Sequence, residues 1–356
     1  MQCPCKINLG LTVGPRLANK NGLHQIYSLF LPIRLGSLKP GAGEAGAQAP
    51  GERTPQAALG STKANSDPTV DYVEYPSVKP APVFPGDSIQ FQTADHFSFS
   101  SENLIAGPDS IRQAFEDVSE RGPNLDRNLM MRAVTLLQQH RSDYSDSGSL
   151  PEFSIQIQKR IPPGTGVGAG SANAALILLY GVSQNWISMS HARAMAPELG
   201  ADVTFFLDNT PALVEGTGER IQPKKAGPLY GVLCFPGLFV STSEAYSRLK
   251  RPLQQSEDAK LGSLLSDSDW HAIAAGEWGR LAHWTNDFEE PVFAMHPDLA
   301  QIKQSLVQTG ADYSSLSGSG SALYGLYSSG QRATEALDSL KSQYPELPFE
   351  TFALWE

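Results

Sequence analysis

Three features of the chain predict an α+β fold in two domains. Residues 5–13 alternate, with Ile7, Leu9, Leu11 and Val13 on one face and Lys6, Asn8, Gly10 and Thr12 on the other, the two-residue period of a strand. A second alternating run sets Phe153, Ile155 and Ile157 against Ser154, Gln156 and Gln158, and leads through a glycine-rich loop into an apolar helical run from Ala172 to Tyr180. Beyond about residue 225 the chain repeats a helix–strand grammar, which reads as α+β. A length of 356 residues suits about two domains, read as 1–225 and 226–356.

The first strand is followed by the turn Asn21-Gly22-Leu23-His24 and a second strand, Tyr27–Leu35. Residues 37–86 then change character. Eight prolines and five glycines fall between Pro40 and Pro85 with few apolar residues to bury, so this insertion is expected to be disordered or loosely packed. Regular structure is expected again from about Asp87. Leu129, Ala133, Leu136 and Leu137 give Asn128–His140 a helical spacing, and His191–Leu199 reads as a helix ended by Gly200. In the second half, Trp270, Ile273, Ala274, Trp278 and Leu281 lie on one face of a predicted helix, and Asp298–Val307 forms another. Strands are predicted at Tyr313–Leu316 and Ala322–Tyr327, then a helix at Arg332–Lys341 and a last strand at Phe349–Leu354.

Composition removes several functions. A net charge of −10 argues against nucleic acid or an anionic membrane as partner, since both need a basic surface. No apolar run approaches the ~20 residues of a membrane span, and the opening MQCPCKINLG lacks the apolar core of a signal peptide. Cys3, Cys5 and Cys234 supply neither a disulfide framework nor a zinc quartet, and no metal ligand is assigned. A cytoplasmic location is expected.

The loop at 162–175, PPGTGVGAGSANAA, restricts the function most. Glycines at 164, 166, 168 and 170 let the backbone turn its N–H groups inward. The following helix contributes free N–H groups and roughly +0.5 charge at its start, with Ser171 placed to cap it. That combination binds phosphate. No lysine follows a glycine anywhere, which excludes a Walker loop, and the spacing Gly-x-Gly-x-x-Gly fails from both Gly164 and Gly166. A flexible linker is the alternative, and the preceding strand opposes it.

The loop resembles the second motif of the GHMP kinases, small-molecule kinases named for galactose, homoserine, mevalonate and phosphomevalonate. SLSGSGSALYGLY at 315–327 resembles their third motif, and CKINLGLTV at 5–13 their opening strand. Within the family, KINL with the NGLH turn, LGADVTFFL at 199–207, EGTGERIQP at 215–223, PGLFVSTSEAY at 236–246 and NDFEEPVF at 286–293 are similar to the branch whose acceptor is a cytidine diphosphate-linked methylerythritol. The resemblance spans most of the chain outside about 37–95. It implies a ribosomal S5 domain 2-like N-terminal domain and a ferredoxin-like C-terminal domain.

It also implies ATP as phosphate donor, with magnesium, and a monomer or weak homodimer. By position alone Asp202 could orient or deprotonate an acceptor hydroxyl or cap the next turn; the resemblance makes it the catalytic aspartate and Lys6 its partner. ATP contacts are expected from the backbone of Pro163, Gly164, Thr165, Gly166, Val167, Gly168, Ala169, Gly170, Ser171 and Ala172, and from the Ser171 hydroxyl. Asn128 and Lys159 match positions near the nucleotide, although Lys159 is equally placed to be a surface lysine. Asn8, Leu23, His24 and Tyr246 are the acceptor residues. In the branch an aromatic pair sandwiches the base; Tyr246 supplies one face, and Leu23 stands where the other is usually tyrosine. Another alcohol of the homoserine or mevalonate type, or a catalytically silent ligand-binding member, is the alternative.

Overall fold

The computed structural model describes residues 1–36, 38, 86–105, 128–144, 150–257, 261 and 264–355. The proline-rich segment predicted at 37–86 lies outside them except for Leu38 and Gly86. Strands β1 (Cys5–Leu17) and β2 (Leu23–Leu35) form a long antiparallel hairpin across the NGLH turn. A separate three-stranded sheet sets β3 (Ser88–Thr93) and β4 (Ser98–Asn103) on either side of β5 (Phe153–Lys159), β3 antiparallel and β4 parallel to it. Helices α1 (Leu129–Tyr144), α2 (Ala169–Ser183), α3 (Met189–Leu199) and α4 (Ala201–Asp208) pack with this sheet around Leu137, Ile155, Leu178 and Phe205. The short strands β6 (Ala212–Gly216) and β7 (Arg220–Pro223) close the first half.

The second half runs β8 (Tyr230–Cys234), α5 (Thr242–Arg248), β9 (Leu253–Gln254), α6 (Asp267–Ala275), α7 (Glu289–Met295) and α8 (Pro297–Gln308). It ends with β10 (Tyr313–Leu316), β11 (Leu323–Tyr327), α9 (Gly330–Gln343) and β12 (Phe349–Leu354). The larger sheet has the order β10-β11-β8-β12-β2-β1-β9, with β6 also paired to β2 and β7 to β6. On the edge of β2 away from β1, β6 covers Ile26–Phe30 and β12 covers Ile33–Leu35. Strands from both sides of residue 225 thus share one sheet.

Two expectations are corrected. The predicted helical face from Trp270 to Leu281 is broken: α6 stops at Ala275, Gly276 adopts a left-handed φ of 75°, and Trp278–Leu281 is a separate 3-10 turn. Gly276 packs so tightly on Pro228 that an added Cβ would lie 2.8 Å from its carbonyl oxygen. Trp278 and Leu281 still reach the core, whereas Ala274 is exposed and Ala272 takes the buried position. Secondly, α2 begins at Ala169 rather than beyond Ser171, so Gly168 holds the N-cap position and Ser171 lies inside the first turn.

β1 positions the site. Its alternation buries Ile7 and Leu9 against Trp278 and Phe352, and Leu11 and Val13 against Phe288 and Leu306. Its opposite face is buried too: Lys6 and Asn8 are 4% and 2% exposed. A buried lysine needs a partner, because desolvating a charge is otherwise costly.

Candidate active site

The phosphate loop is held between β5 and α2. Pro162 and Pro163 lead into it, and Thr165 Oγ1 donates 3.0 Å to the carbonyl of Pro162. Gly164, Gly166 and Gly168 have φ of 68°, 74° and 72°, the left-handed region that side chains disfavour. The first intrahelical bond of α2 runs from Ala172 N to Gly168 O, so the amides of 169–171 have no partner within the helix.

Two distant segments, β1 and the turn 317–322, meet at this loop through its backbone carbonyls. Lys6 N donates 2.9 Å to Val167 O, Ala322 N 3.1 Å to Thr165 O, and Ser321 N 3.3 Å to Gly164 O. Ser317 Oγ donates 3.1 Å to Gly166 O. The glycine-rich turn 317–321 is braced in turn by Asn286, whose Nδ2 donates 2.8 Å to the carbonyls of Leu316 and Gly318. The two glycine-rich motifs and the opening strand therefore form one rigid unit.

Lys6 Nζ lies 3.6 Å from Asp202 Oδ2. It also donates to Asn8 Oδ1 and sits 4.7 Å over the ring of Phe30. Asn8 is fixed by Ser28: Asn8 Nδ2 donates 3.0 Å to Ser28 Oγ, which donates 2.6 Å to Gly10 O. Asp202 is the second residue of α4, behind the N-cap Gly200, and its side chain is 30% exposed whereas that of Lys6 is buried. Burial pushes the Lys6 ammonium below the usual lysine range, and the Asp202 charge and hydrogen bond oppose that shift. Burial wins, which leaves Lys6 a readier proton donor than a surface lysine.

A cavity of about 590 Å³ opens between these parts. It is lined by Lys6, Asn8 and Asp202, by Asn128 and Lys159, by Pro163–Gly166 and Gly168–Ser171, and by Thr242 and Tyr246. Val167 and Ala172 do not line it; both are fully buried, Val167 offering only its carbonyl to Lys6. Asn128 Oδ1 caps α1, accepting 2.9 Å from Met130 N. Lys159 is not a solvated lysine: it pairs with the carboxylate of Asp87, which is 1% exposed.

The residues expected to meet the acceptor are divided, since Asn8 and Tyr246 line the cavity while Leu23 and His24 do not. Leu23 is 56% exposed, pairs with Leu17 at the hairpin end and does not line the cavity. His24 stacks on Tyr246, ring centroids 4.7 Å apart, and Tyr246 meets Phe288 edge-on at 4.8 Å. His24 Nδ1 lies 3.2 Å from Gly14 O, an acceptor only, so Nδ1 carries the proton and Nε2 is left as an acceptor. Burial pushes the Tyr246 hydroxyl up to about 12, with the Asp202 charge adding to the shift.

Three groups escaped the sequence reading. Thr242 Oγ1 and Ser319 Oγ, both lining the cavity, lie 2.9 Å apart, and nothing in sequence announces a pair 77 residues apart. Asn173 is the lone amide in an otherwise apolar helical run, a signal that was available. Asp87 opens an alternating strand, where a carboxylate ordinarily faces solvent. Among the described residues no group of three His, Cys, Asp or Glu is clustered to hold a metal, and Asp202 is the one carboxylate lining the cavity.

Backbone amides for phosphate, facing the same space as a half-exposed carboxylate with a buried ammonium beside it, suit the transfer of a phosphoryl group to a hydroxyl; the class is that of a small-molecule kinase. Comparison with known proteins agrees. Residues 128–210 match the GHMP kinases N terminal domain and 271–346 the GHMP kinases C terminal domain. A 4-diphosphocytidyl-2-C-methyl-D-erythritol kinase of Leptospira interrogans is 34% identical, covering 75% of this chain and 88% of its own. One of Leptospira biflexa is 29% identical over 98% of this chain and 96% of its own. A crystal structure of 4-(cytidine 5'-diphospho)-2C-methyl-D-erythritol kinase superposes with a TM-score of 0.63 at 25% identity, over 99% of this chain and 98% of that one. The chain belongs to the GHMP kinase family, among the 4-diphosphocytidyl-2-C-methyl-D-erythritol kinases.

Proposed function

We propose that this chain transfers the γ-phosphoryl group of ATP to the 2-hydroxyl of 4-diphosphocytidyl-2-C-methyl-D-erythritol. The observation that carries the reading is the Lys6–Asp202 pair at 3.6 Å, facing the cavity that the phosphate loop also lines. The amides of 164–171 and the start of α2 hold the phosphates of the donor. Asp202 orients the acceptor hydroxyl and takes its proton as the oxygen attacks the γ-phosphorus and ADP leaves. Lys6 pairs with Asp202 and stabilises charge on the acceptor oxygen in the transition state.

Magnesium would accompany the donor phosphates and neutralise part of their charge. Among the described residues Asp202 is the carboxylate that lines the cavity, so the phosphates and water would supply most of its ligands. The unprotonated Nε2 of His24 suits the exocyclic amino group of cytosine, with Tyr246 behind it. Asn8 acts through Lys6. The chain works as a cytoplasmic monomer or weak homodimer whose halves meet near residue 225; among the described residues no helix is long and apolar enough to cross a membrane.

A different alcohol as acceptor has one observation in its favour: His24 covers the Tyr246 ring on which a base would stack, and Leu23 does not line the cavity. ADP release measured with ATP and each of 4-diphosphocytidyl-2-C-methyl-D-erythritol, homoserine and mevalonate decides. Release with the first alone is expected. Release with another, or with none, overturns the proposal.

A further inference from the structure

The carboxylate of Asp87 is the most completely satisfied buried charge near the site, yet it does not line the cavity. Its Oδ1 accepts from Arg160 N at 2.7 Å and Ile161 N at 2.9 Å. Its Oδ2 accepts from Asn173 Nδ2 at 3.0 Å and from the Lys159 ammonium. Four donors meet the four lone-pair positions of one carboxylate. The backbone donors sit just before Pro162 and Pro163, where the phosphate loop begins, and Asn173 sits on α2, where the loop has ended. The carbonyl of Asp87 accepts 2.9 Å from Cys3 N, which ties the cluster to the chain entering β1.

Two of the groups that Asp87 holds, Lys159 and Asn173, line the cavity themselves. Because Asn173 Nδ2 is committed to Asp87, its Oδ1 is left over, and that atom is buried with no partner in the protein. An unpaired buried acceptor is costly unless a ligand completes it. We propose that Asp87 is a positioning residue for the donor nucleotide: it clamps the phosphate loop at both ends and sets the direction in which Lys159 and Asn173 face the cavity. This rests on the reading that ATP occupies the cavity.

The test is Asp87→Asn in the full chain. The isosteric amide keeps an oxygen for the amides of Arg160 and Ile161, but turns its own N–H groups toward two further donors, Lys159 and Asn173. KM for ATP is expected to rise about tenfold or more, while kcat at saturating ATP and KM for the acceptor stay within about threefold. A merely structural role would lower the folded fraction, and so kcat, and leave both KM values in place. An unchanged KM for ATP, or an equal rise in both KM values, overturns the proposal.

If Asp87→Asn does not fold, Asp87→Asn/Lys159→Gln removes the unpaired buried charge and is compared with Lys159→Gln alone, in which Asp87 still directs Asn173. The double variant should have a KM for ATP about threefold or more above the single; equality overturns the proposal. Failure of the functional reading looks different, because the parent protein would then release no ADP and a non-hydrolysable ATP analogue would not bind it.

Discussion

His24 lies on Tyr246 with the ring planes 24° from parallel, so the imidazole backs a ring that lines the cavity without lining it itself. Burial holds its pKa below the ordinary value, the Gly14 carbonyl opposes that, and the charges of Arg16 and Arg251 add to the lowering. The ring is neutral in the folded protein at neutral pH. Above about pH 6.5 neither state binds this proton; as pH falls below that, the unfolded chain takes it first, and stability declines until the lowered folded pKa is passed. A Tm series between about pH 5 and pH 8 should show this decline, and His24→Gln should flatten it. An identical slope in the variant would assign the dependence to another group.

Asp202→Asn keeps the volume of the side chain and removes its charge. kcat should fall about 10³-fold, the scale of a lost general base, while the affinity for an ATP analogue changes by about twofold or less. Near-normal turnover in the purified variant would remove Asp202 from the chemistry.

Gly166 and Gly170 make a matched pair. A Cβ on Gly166 would sit 1.9 Å from Ser317 O at a φ of 74°, whereas one on Gly170 meets nothing nearer than Leu129 at 4.0 Å. Gly166→Ala should lose about 2 kcal/mol or more and weaken ATP binding. Gly170→Ala lies inside α2 and should be neutral or stabilising by up to about 1 kcal/mol. Denaturant unfolding of both variants checks the order.

Leu23 is exposed at the hairpin end, does not line the cavity, and as the strand neighbour of His24 faces the other side of β2. Leu23→Tyr should therefore leave KM for the acceptor within about twofold. A fall of about fivefold, worth about 1 kcal/mol of ring–base stacking, would show that position 23 reaches the base after all.

The elements carried by strong periodicity were legible. Phe349–Leu354 agrees with β12 to the residue, and α8, α9 and β10 agree to within two residues at each end. Local pattern also found the phosphate loop, though it placed Ser171 at a cap that Gly168 occupies. It joined Trp270 to Trp278 across Gly276, because a helical spacing persists through a turn when both flanks reach one core. Asp87, Thr242 and Ser319 were illegible for a different reason: their partners lie tens of residues away, and ordinary polar residues acquire meaning only through those partners. The pairing of Lys6 with Asp202, across 196 residues, was legible only through family resemblance.

β12 sits inside the larger sheet, between β8 and β2, rather than at its edge. A nascent chain that has not yet delivered Phe349 to the ribosome exit therefore has the opening hairpin with part of one flank unpaired. The carbonyls of Gly164, Thr165 and Gly166 likewise wait for residues 317–322 before they find their donors. Release of arrested chains shortened before residue 349 should show protease sensitivity in β1 and β2 that the full chain lacks. In the finished fold, then, the opening hairpin and the phosphate loop both depend on contacts from the end of the described chain, so synthesis delivers last what these early segments need.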